Sequence, residues 1–182
     1  MPILQWLTRE KDLRAAGRAP YRLLEEVERY GDGSPQNMLI QGDNLEALKA
    51  LLPYYAGKVK CIYIDPPYNT RSAFAHYDDN LEHTQWLSMI YPRLQILKDF
   101  LSEDGSLWVT LDDTEVHYTK VILDELLGRN SFVADITWQK NPTRENRSDV
   151  STTHDHILLY VRNRSLFKKT RNLLPSSEEQ IA

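Results

Sequence analysis

The sequence predicts an α/β fold in which a largely parallel sheet is flanked by helices. Short apolar segments typical of strands alternate along the chain with longer segments of helical period. Start and stop signals separate these segments, such as Asp43 before one helical segment and Gly128 after another. With 182 residues, of which 41 % are hydrophobic, the chain is long enough for one core and hardly for two.

The first predicted strand and helix occupy residues 37–42 and 43–52. Leucines at positions 45, 48, 51 and 52 share one face of the helix, and Asp43 is suited to cap its N-terminus. The next predicted strand covers residues 59–65, where apolar residues again dominate.

A longer helix is predicted for residues 81–101, and we expect Pro92 to start or kink a helix there. Residues 112–128 form another predicted helix, with acids in its first turn and Gly128 in the stop position. Further strands are predicted at residues 106–111, 131–138 and 156–161.

The two ends of the chain differ from this central region. Residues 1–34 are predicted to be a helical extension, in which Pro20 leads the segment 21–30. Residues 166–182 form a polar tail without a core pattern. The sequence thus divides into an extension, a central region at 35–165 and a tail.

Composition limits the location and chemistry of the chain. The single Cys61 excludes an intrachain disulfide, and the N-terminus has no signal-peptide pattern. No apolar run approaches the roughly 18 residues that a membrane span needs. We expect a cytoplasmic protein without a membrane partner.

The net charge of -4 does not by itself indicate a nucleic-acid partner, but basic residues concentrate in one region. Residues 140–171 contain eight Lys or Arg against three acids. The segment that begins at Lys140 could contact phosphates or form a charged surface loop, and the sequence leaves both open.

The segment Asp65-Pro66-Pro67-Tyr68 stands where the second predicted strand ends. Pro66 keeps Asp65 away from helical angles, and neither proline has an N–H, so the turn is stiff and extended. It offers a carboxylate, backbone carbonyls and the face of Tyr68, which together suit a planar ligand that carries an NH2 group. The alternative is a rigid turn in which Tyr68 is merely packed.

Other polar residues at strand ends have simpler explanations. We expect Asp112 and Asp113, with Glu115 behind them, to cap a helix rather than to form a two-metal carboxylate site. His154 and His156 lack further spaced ligands, so we expect polar residues at a strand entrance and no metal site.

The motif "DPPY" and its surroundings resemble a known family. Together with "NMLIQGDNLEALKALLPYYAGKVKCIYIDPPYNT", "YPRLQILKDFLSEDGSLWVTLDD" and "NSFVADITWQKN", it is similar to the amino-directed DNA methyltransferases. Within them it resembles the permuted adenine-N6 class, and most of all the modification subunit of type III restriction-modification systems. The resemblance implies a partial Rossmann-like fold and methyl transfer from S-adenosylmethionine to the exocyclic N6 of adenine in double-stranded DNA.

The resemblance also implies roles for individual residues. Asp65 and the Pro66 carbonyl would accept hydrogen bonds from the target amino group, while Tyr68 would stack on the flipped adenine. Asp43 and Asn44, with Asp65, would contact the cofactor, although capping explains Asp43 nearly as well.

The loop at 69–79 would border the base, through three candidate residues: Asn69, Phe74 and Tyr77. For Phe74 and Tyr77 the alternative is that they fold back onto the domain.

The chain departs from this class in one respect, because it has no F-x-G-x-G loop after the catalytic motif. We therefore expect 35–165 to be the catalytic half of the domain and 166–182 the start of a truncated target-recognition region. We also expect weak cofactor binding and little methylation by these residues alone.

A restriction subunit is an expected partner, and a homodimer through an open sheet edge is a further one. Two alternatives remain open: a cytosine-N4 methyltransferase, and a non-catalytic remnant that binds DNA or a partner subunit.

Overall fold

The computed structural model of the chain describes residues 3–32, 37–69, 83–140 and 153–172. Within these ranges the helices are α1 (Arg9–Asp12), α2 (Ala15–Arg18), α3 (Asn44–Tyr55), α4 (His83–Phe100), α5 (Val116–Leu127) and α6 (Arg164–Thr170). The strands are β1 (Val59–Ile64), β2 (Leu101–Leu111), β3 (Phe132–Gln139) and β4 (His154–Val161). None of the described helices is long and apolar enough to cross a membrane.

The described strands form one sheet in the order β1-β2-β4-β3. This confirms the predicted α/β class, but the sheet is mixed rather than largely parallel. β1 and β2 are parallel, whereas β4 is antiparallel to both of its neighbours. The end of β3 at Gln139 pairs with the start of β4 at His154, so the two strands run antiparallel to each other. Strands paired in this way need no crossover helix between them. The amino end of β4 therefore lies beside the carboxyl end of β2.

The core lies on the face of the sheet that carries Ile62, Leu107 and Leu158. Helix α4 contributes the largest buried set to it, and α5 adds Ile122 and Leu123. The buried α4 residues include Trp86, Leu87, Ile90, Tyr91, Leu94, Leu97 and Phe100. Pro92 lies inside α4, so the helix does not start there as one of our two expectations had it.

Helices α3 and α5 confirm two local predictions. The Asp43 carboxylate accepts hydrogen bonds from the backbone N–H groups of Leu45 (2.9 Å) and Glu46 (3.2 Å), so it caps α3. Gly128 follows α5 with a φ of 92°, a left-handed conformation that glycine adopts without strain.

Two predicted elements are wrong. Residues 37–42 form no strand, and residues 21–30 form no helix. In the first segment Leu39 is 99 % exposed, and in the second Leu23 is 98 % exposed. Their apolar side chains do not contact the core, and a short segment gains little from secondary structure without such packing.

Strand β2 begins at Leu101, five positions before its predicted start at 106. Gly105 lies within it, where a Cβ atom would be only 2.8 Å from the backbone oxygen of Val59. The close approach of β1 and β2 at this point thus requires a glycine.

Candidate active site

The predicted catalytic turn lies at the carboxyl edge of the parallel pair β1 and β2. Asp65 directly follows β1 and is exposed, while Asp112 follows β2 at the same edge. Open α/β sheets bind ligands in the crevice outside the carboxyl ends of their strands. The structure therefore places the Asp65 carboxylate where a ligand could reach it.

A buried tryptophan on helix α4 holds the turn in place through a hydrogen bond. The indole Nε1 of Trp86, on α4, donates a hydrogen bond of 2.6 Å to the backbone carbonyl of Pro67. Trp86 is fully buried, so this hydrogen bond is shielded from water. It commits the Pro67 carbonyl to the scaffold. No described residue donates to the neighbouring Pro66 carbonyl.

A buried carboxylate holds the other end of the turn. Asn69 adopts a φ of 59°, in the left-handed region that asparagine tolerates better than most residues. Its side-chain Nδ2 donates to Glu115 Oε1 at 2.8 Å. Glu115 is 1 % exposed, and the imidazole Nδ1 of His83 lies 3.0 Å from its Oε1 and 2.9 Å from its Oε2. Glu115 thus joins the turn to the first residue of α4 and to the start of α5.

Replacing Glu115 by alanine will lower the free energy of unfolding by about 2–4 kcal/mol, because Asn69 and His83 lose a shared buried partner. Glu115→Gln keeps an acceptor for Asn69 and will recover at least half of that loss. Urea denaturation measures both values. The exposed Glu103, which pairs with Arg162 at 3.1 Å, is the control, and Glu103→Ala should change stability by less than about 1 kcal/mol. Equal effects of the alanine variants at 103 and 115 would contradict the role of Glu115.

Tyr68 lies against Asp65 and is half-buried. Burial, together with the negative charge of Asp65 and a hydrogen bond to that carboxylate, raises the pKa of Tyr68 well above its ordinary value. The Tyr68 ring also packs against the hydrophobic core. The negative charge of Asp155, on β4, raises the pKa of Tyr68 further.

Asp43 and Asn44 lie at the start of α3. Arg93, on α4, donates to Asn44 Oδ1 at 2.5 Å, and one of its terminal nitrogens lies 3.3 Å from Asp43 Oδ2. Burial lowers the pKa of Arg93, and the charge of Asp43 opposes that shift. No described contact joins Asp43 or Asn44 to the turn at 65–69.

The helix-capping prediction for Asp112 and Asp113 is wrong. Helix α5 starts at Val116 and receives no side-chain cap. Asp112 Oδ1 instead accepts from the backbone N–H of Thr114 at 2.9 Å, which closes a turn before the helix. Asp113 points to β4, where its Oδ1 lies 3.0 Å from His156 Nε2.

The remaining predicted residues divide into two groups. His154 is the first residue of β4, so it does stand at a strand entrance. Lys140 follows β3, and its Nζ lies 2.7 Å from Asp155 Oδ1, which neutralises its charge. Phe74, Tyr77 and residues 141–152 of the basic region lie outside the described residues.

Sequence reasoning missed the residues that hold the turn in place, which are Trp86 and the buried Glu115 with its neighbour His83. It also missed Arg93, which contacts the start of α3. Only Trp86 gave a usable signal. A tryptophan on the buried face of a helix must find an acceptor for its indole N–H, although the sequence does not say which one.

A family model described as DNA methylase matches residues 59–181, which include the turn, α4, α5 and every strand of the described sheet. The chain belongs to the DNA methylase family. It is 32 % identical to the type III restriction-modification enzyme EcoP15I Mod subunit of Escherichia coli, over 98 % of this chain and 34 % of that protein.

A second relative of this DNA methylase is the type III restriction-modification enzyme EcoPI Mod subunit of Escherichia phage P1. Here the identity is 32 %, over 90 % of this chain and 31 % of that protein. The chain thus spans about a third of the length of these relatives. Among solved structures, the M1.HpyAVI–SAM complex is similar, with 17 % identity and a TM-score of 0.47 over 76 % of this chain and 58 % of that one.

Proposed function

We propose that the chain is the catalytic module of a DNA methyltransferase that transfers a methyl group from S-adenosylmethionine to the exocyclic N6 of adenine. One observation carries the proposal: the DPPY turn stands at the carboxyl edge of the sheet with Asp65 exposed, inside the region that matches the DNA methylase family. The similarity to type III Mod subunits supports restriction-modification as the setting. The choice of adenine rests on the resemblance of the motifs to the permuted adenine-N6 class.

The turn offers two acceptors for the two hydrogens of a target amino group. Asp65 supplies one, and the Pro66 carbonyl supplies the other, because Trp86 already occupies the Pro67 carbonyl. An amine held by both hydrogens has its lone pair drawn out of conjugation with the ring. Its nitrogen is then aimed at the methyl carbon, so the rate gain comes from positioning and electrostatics.

Tyr68 serves as the stacking surface for the flipped adenine in this proposal. Its hydroxyl would exchange Asp65 for another partner when the base arrives, because Asp65 is needed by the amino group. Asn69 is held by Glu115 and would border the base, with Phe74 and Tyr77 in the loop that follows.

The described residues fit a cationic cofactor. Asp65 is an exposed carboxylate at the sheet edge, and the Asp43 side chain is 56 % exposed beside its cap interactions. We assign the adenosine portion of S-adenosylmethionine to Asp43 and Asn44, and its positive sulfonium to the neighbourhood of Asp65. When bound, the cofactor supplies an electrophilic methyl group.

Three partners follow from the proposal. Double-stranded DNA with a flipped adenine is the substrate, and exposed cations of α6, such as Lys168 and Lys169, are suited to its phosphates. A restriction subunit is the partner that the type III relatives suggest. A second copy of the chain could pair at β1, which lies at an edge of the described sheet.

Labelled S-adenosylmethionine tests the proposal. The full-length product of the gene is incubated with the labelled cofactor and unmethylated double-stranded DNA, and the DNA is digested to nucleosides for mass spectrometry. N6-methyladenine is the expected product. N4-methylcytosine would keep the chemistry and change the base, whereas a folded protein that binds DNA and labels neither base would identify a non-catalytic binding module.

A further inference from the structure

A cluster of histidine and aspartate side chains lies where β2 ends and β4 begins. Leu111, the last residue of β2, pairs with His156, and Asp113 follows two residues after the strand. The three ligand atoms offered by Asp113, His154 and His156 all lie within 4.8 Å of one another. Asp113 Oδ1 and His156 Nε2 are already 3.0 Å apart.

His156 is oriented by a second carboxylate. Its Nδ1 lies 3.0 Å from Asp135 Oδ1 and 3.1 Å from Asp135 Oδ2, on β3. This hydrogen bond fixes the ring so that Nε2 faces Asp113. A histidine that donates one ring nitrogen to a carboxylate and offers the other is the usual arrangement around a protein-bound metal ion.

The ring of His154 lies near the same point, with its centroid 5.1 Å from that of His156. His154 and His156 are two residues apart on β4, so they project from the same face of the strand. Asp155, between them, projects from the opposite face and pairs with Lys140. The cluster is therefore separate from the groups that surround Tyr68.

We propose that Asp113, His154 and His156 form a binding site for a divalent transition-metal ion such as Zn²⁺, with Asp135 as the outer partner of His156. Imidazole nitrogens and a carboxylate oxygen are ligands that zinc accepts. Tetrahedral zinc with ligand distances of about 2.1 Å places ligand atoms about 3.4 Å apart, so small side-chain rotations would bring the three atoms into position. The fourth position would be held by water or by His117, whose ring centroid is 6.2 Å from that of His156.

The site would be structural, because its ligands tie the amino end of β4 to the segment that leads into α5. Without metal, burial lowers and the hydrogen bonds to Asp113 and Asp135 raise the pKa of His156, and the net change is upward. In the metal-free cluster, His156 lies between the carboxylates of Asp113 and Asp135. That arrangement accounts for His156 but not for the position of His154 beside it.

Zinc titration tests the proposal. The 182-residue chain, freed of metal with a chelator and desalted, is titrated with ZnCl2 by calorimetry, and its melting temperature is followed in parallel. We expect saturable one-to-one binding and a higher melting temperature in zinc. Asp113→Asn, His154→Gln and His156→Gln should each weaken zinc binding at least about 10-fold, and Asp135→Asn about 10- to 100-fold.

Asp112→Asn is the matched control. It lies beside Asp113 but outside the cluster, and asparagine preserves its hydrogen bond to Thr114, so zinc binding should not change. Circular dichroism without zinc checks the fold of each variant. Among the described residues, none forms a hydrogen bond with the His154 side chain, whereas His156 bonds two carboxylates, so His154→Gln decides the matter if His156→Gln unfolds. Absence of saturable binding, or binding that the three ligand variants leave unchanged, would overturn the proposal.

Discussion

Asp65→Ala is expected to reduce methyl transfer by the full-length gene product by about 10²- to 10⁴-fold, while the loss of its interaction with Tyr68 lowers stability by no more than about 1.5 kcal/mol. The carboxylate is exposed at the sheet edge, so its removal creates no cavity. The variant loses one of the two acceptors for the hydrogens of the target amino group. Without that acceptor the amino nitrogen is no longer held with its lone pair directed at the methyl carbon. The effect should therefore appear in the chemical step and not in DNA binding.

Single-turnover transfer of labelled methyl to DNA measures this effect, with thermal melting as the check on folding. Asp65→Asn keeps one oxygen acceptor but adds a donor toward the amino group, so its rate should also be strongly reduced. Asp112→Asn, at the end of the neighbouring strand, is the control and should retain the parent rate. A folded Asp65→Ala protein with more than about a tenth of the parent rate would exclude the proposed role of Asp65.

Trp86→Ala is expected to lower the free energy of unfolding by about 3–5 kcal/mol, the range found when large aromatic side chains are removed from a core. Trp86 is 0 % exposed and belongs to the main hydrophobic cluster. Its truncation also leaves the Pro67 carbonyl without the indole donor. The turn that carries Asp65 thus loses both its support and its anchor.

Trp86→Phe separates these two contributions. Phenylalanine fills most of the volume but cannot donate, so about 1–3 kcal/mol should be lost from the unpaired carbonyl and the smaller ring. Urea denaturation measures both variants. Trp138, which is 61 % exposed on β3, is the matched control, and Trp138→Phe should shift stability by less than about 0.5 kcal/mol. If Trp86→Phe were as stable as the parent, the indole hydrogen bond would not contribute to anchoring the turn.

The family and the central motif could be predicted from the sequence because both depend on neighbouring residues. Asp65, two prolines and Tyr68 are adjacent in the chain, and their chemistry follows from what those residues can donate, accept and stack. The failed strand at 37–42 and the failed helix at 21–30 have a common cause as well. Segments 21–30 and 37–42 have suitable apolar residues, but those residues found no surface to cover them, as the exposure of Leu23 and Leu39 shows.

The sequence by itself determined the α/β class, helix α3 with its Asp43 cap, the end of α5 at Gly128 and the turn after β1. Caps, turns and hydrophobic periods act over a few residues, so they can be recognised without the fold. Only the tertiary structure decided that β4 lies antiparallel between β2 and β3. That order then brought Asp113 to His156, 43 residues away, just as the packing of α4 and α5 brought Trp86 to Pro67 and Glu115 to Asn69. A side chain's distant partner is set by which strands and helices pack together, and that choice depends on the whole core rather than on any local segment.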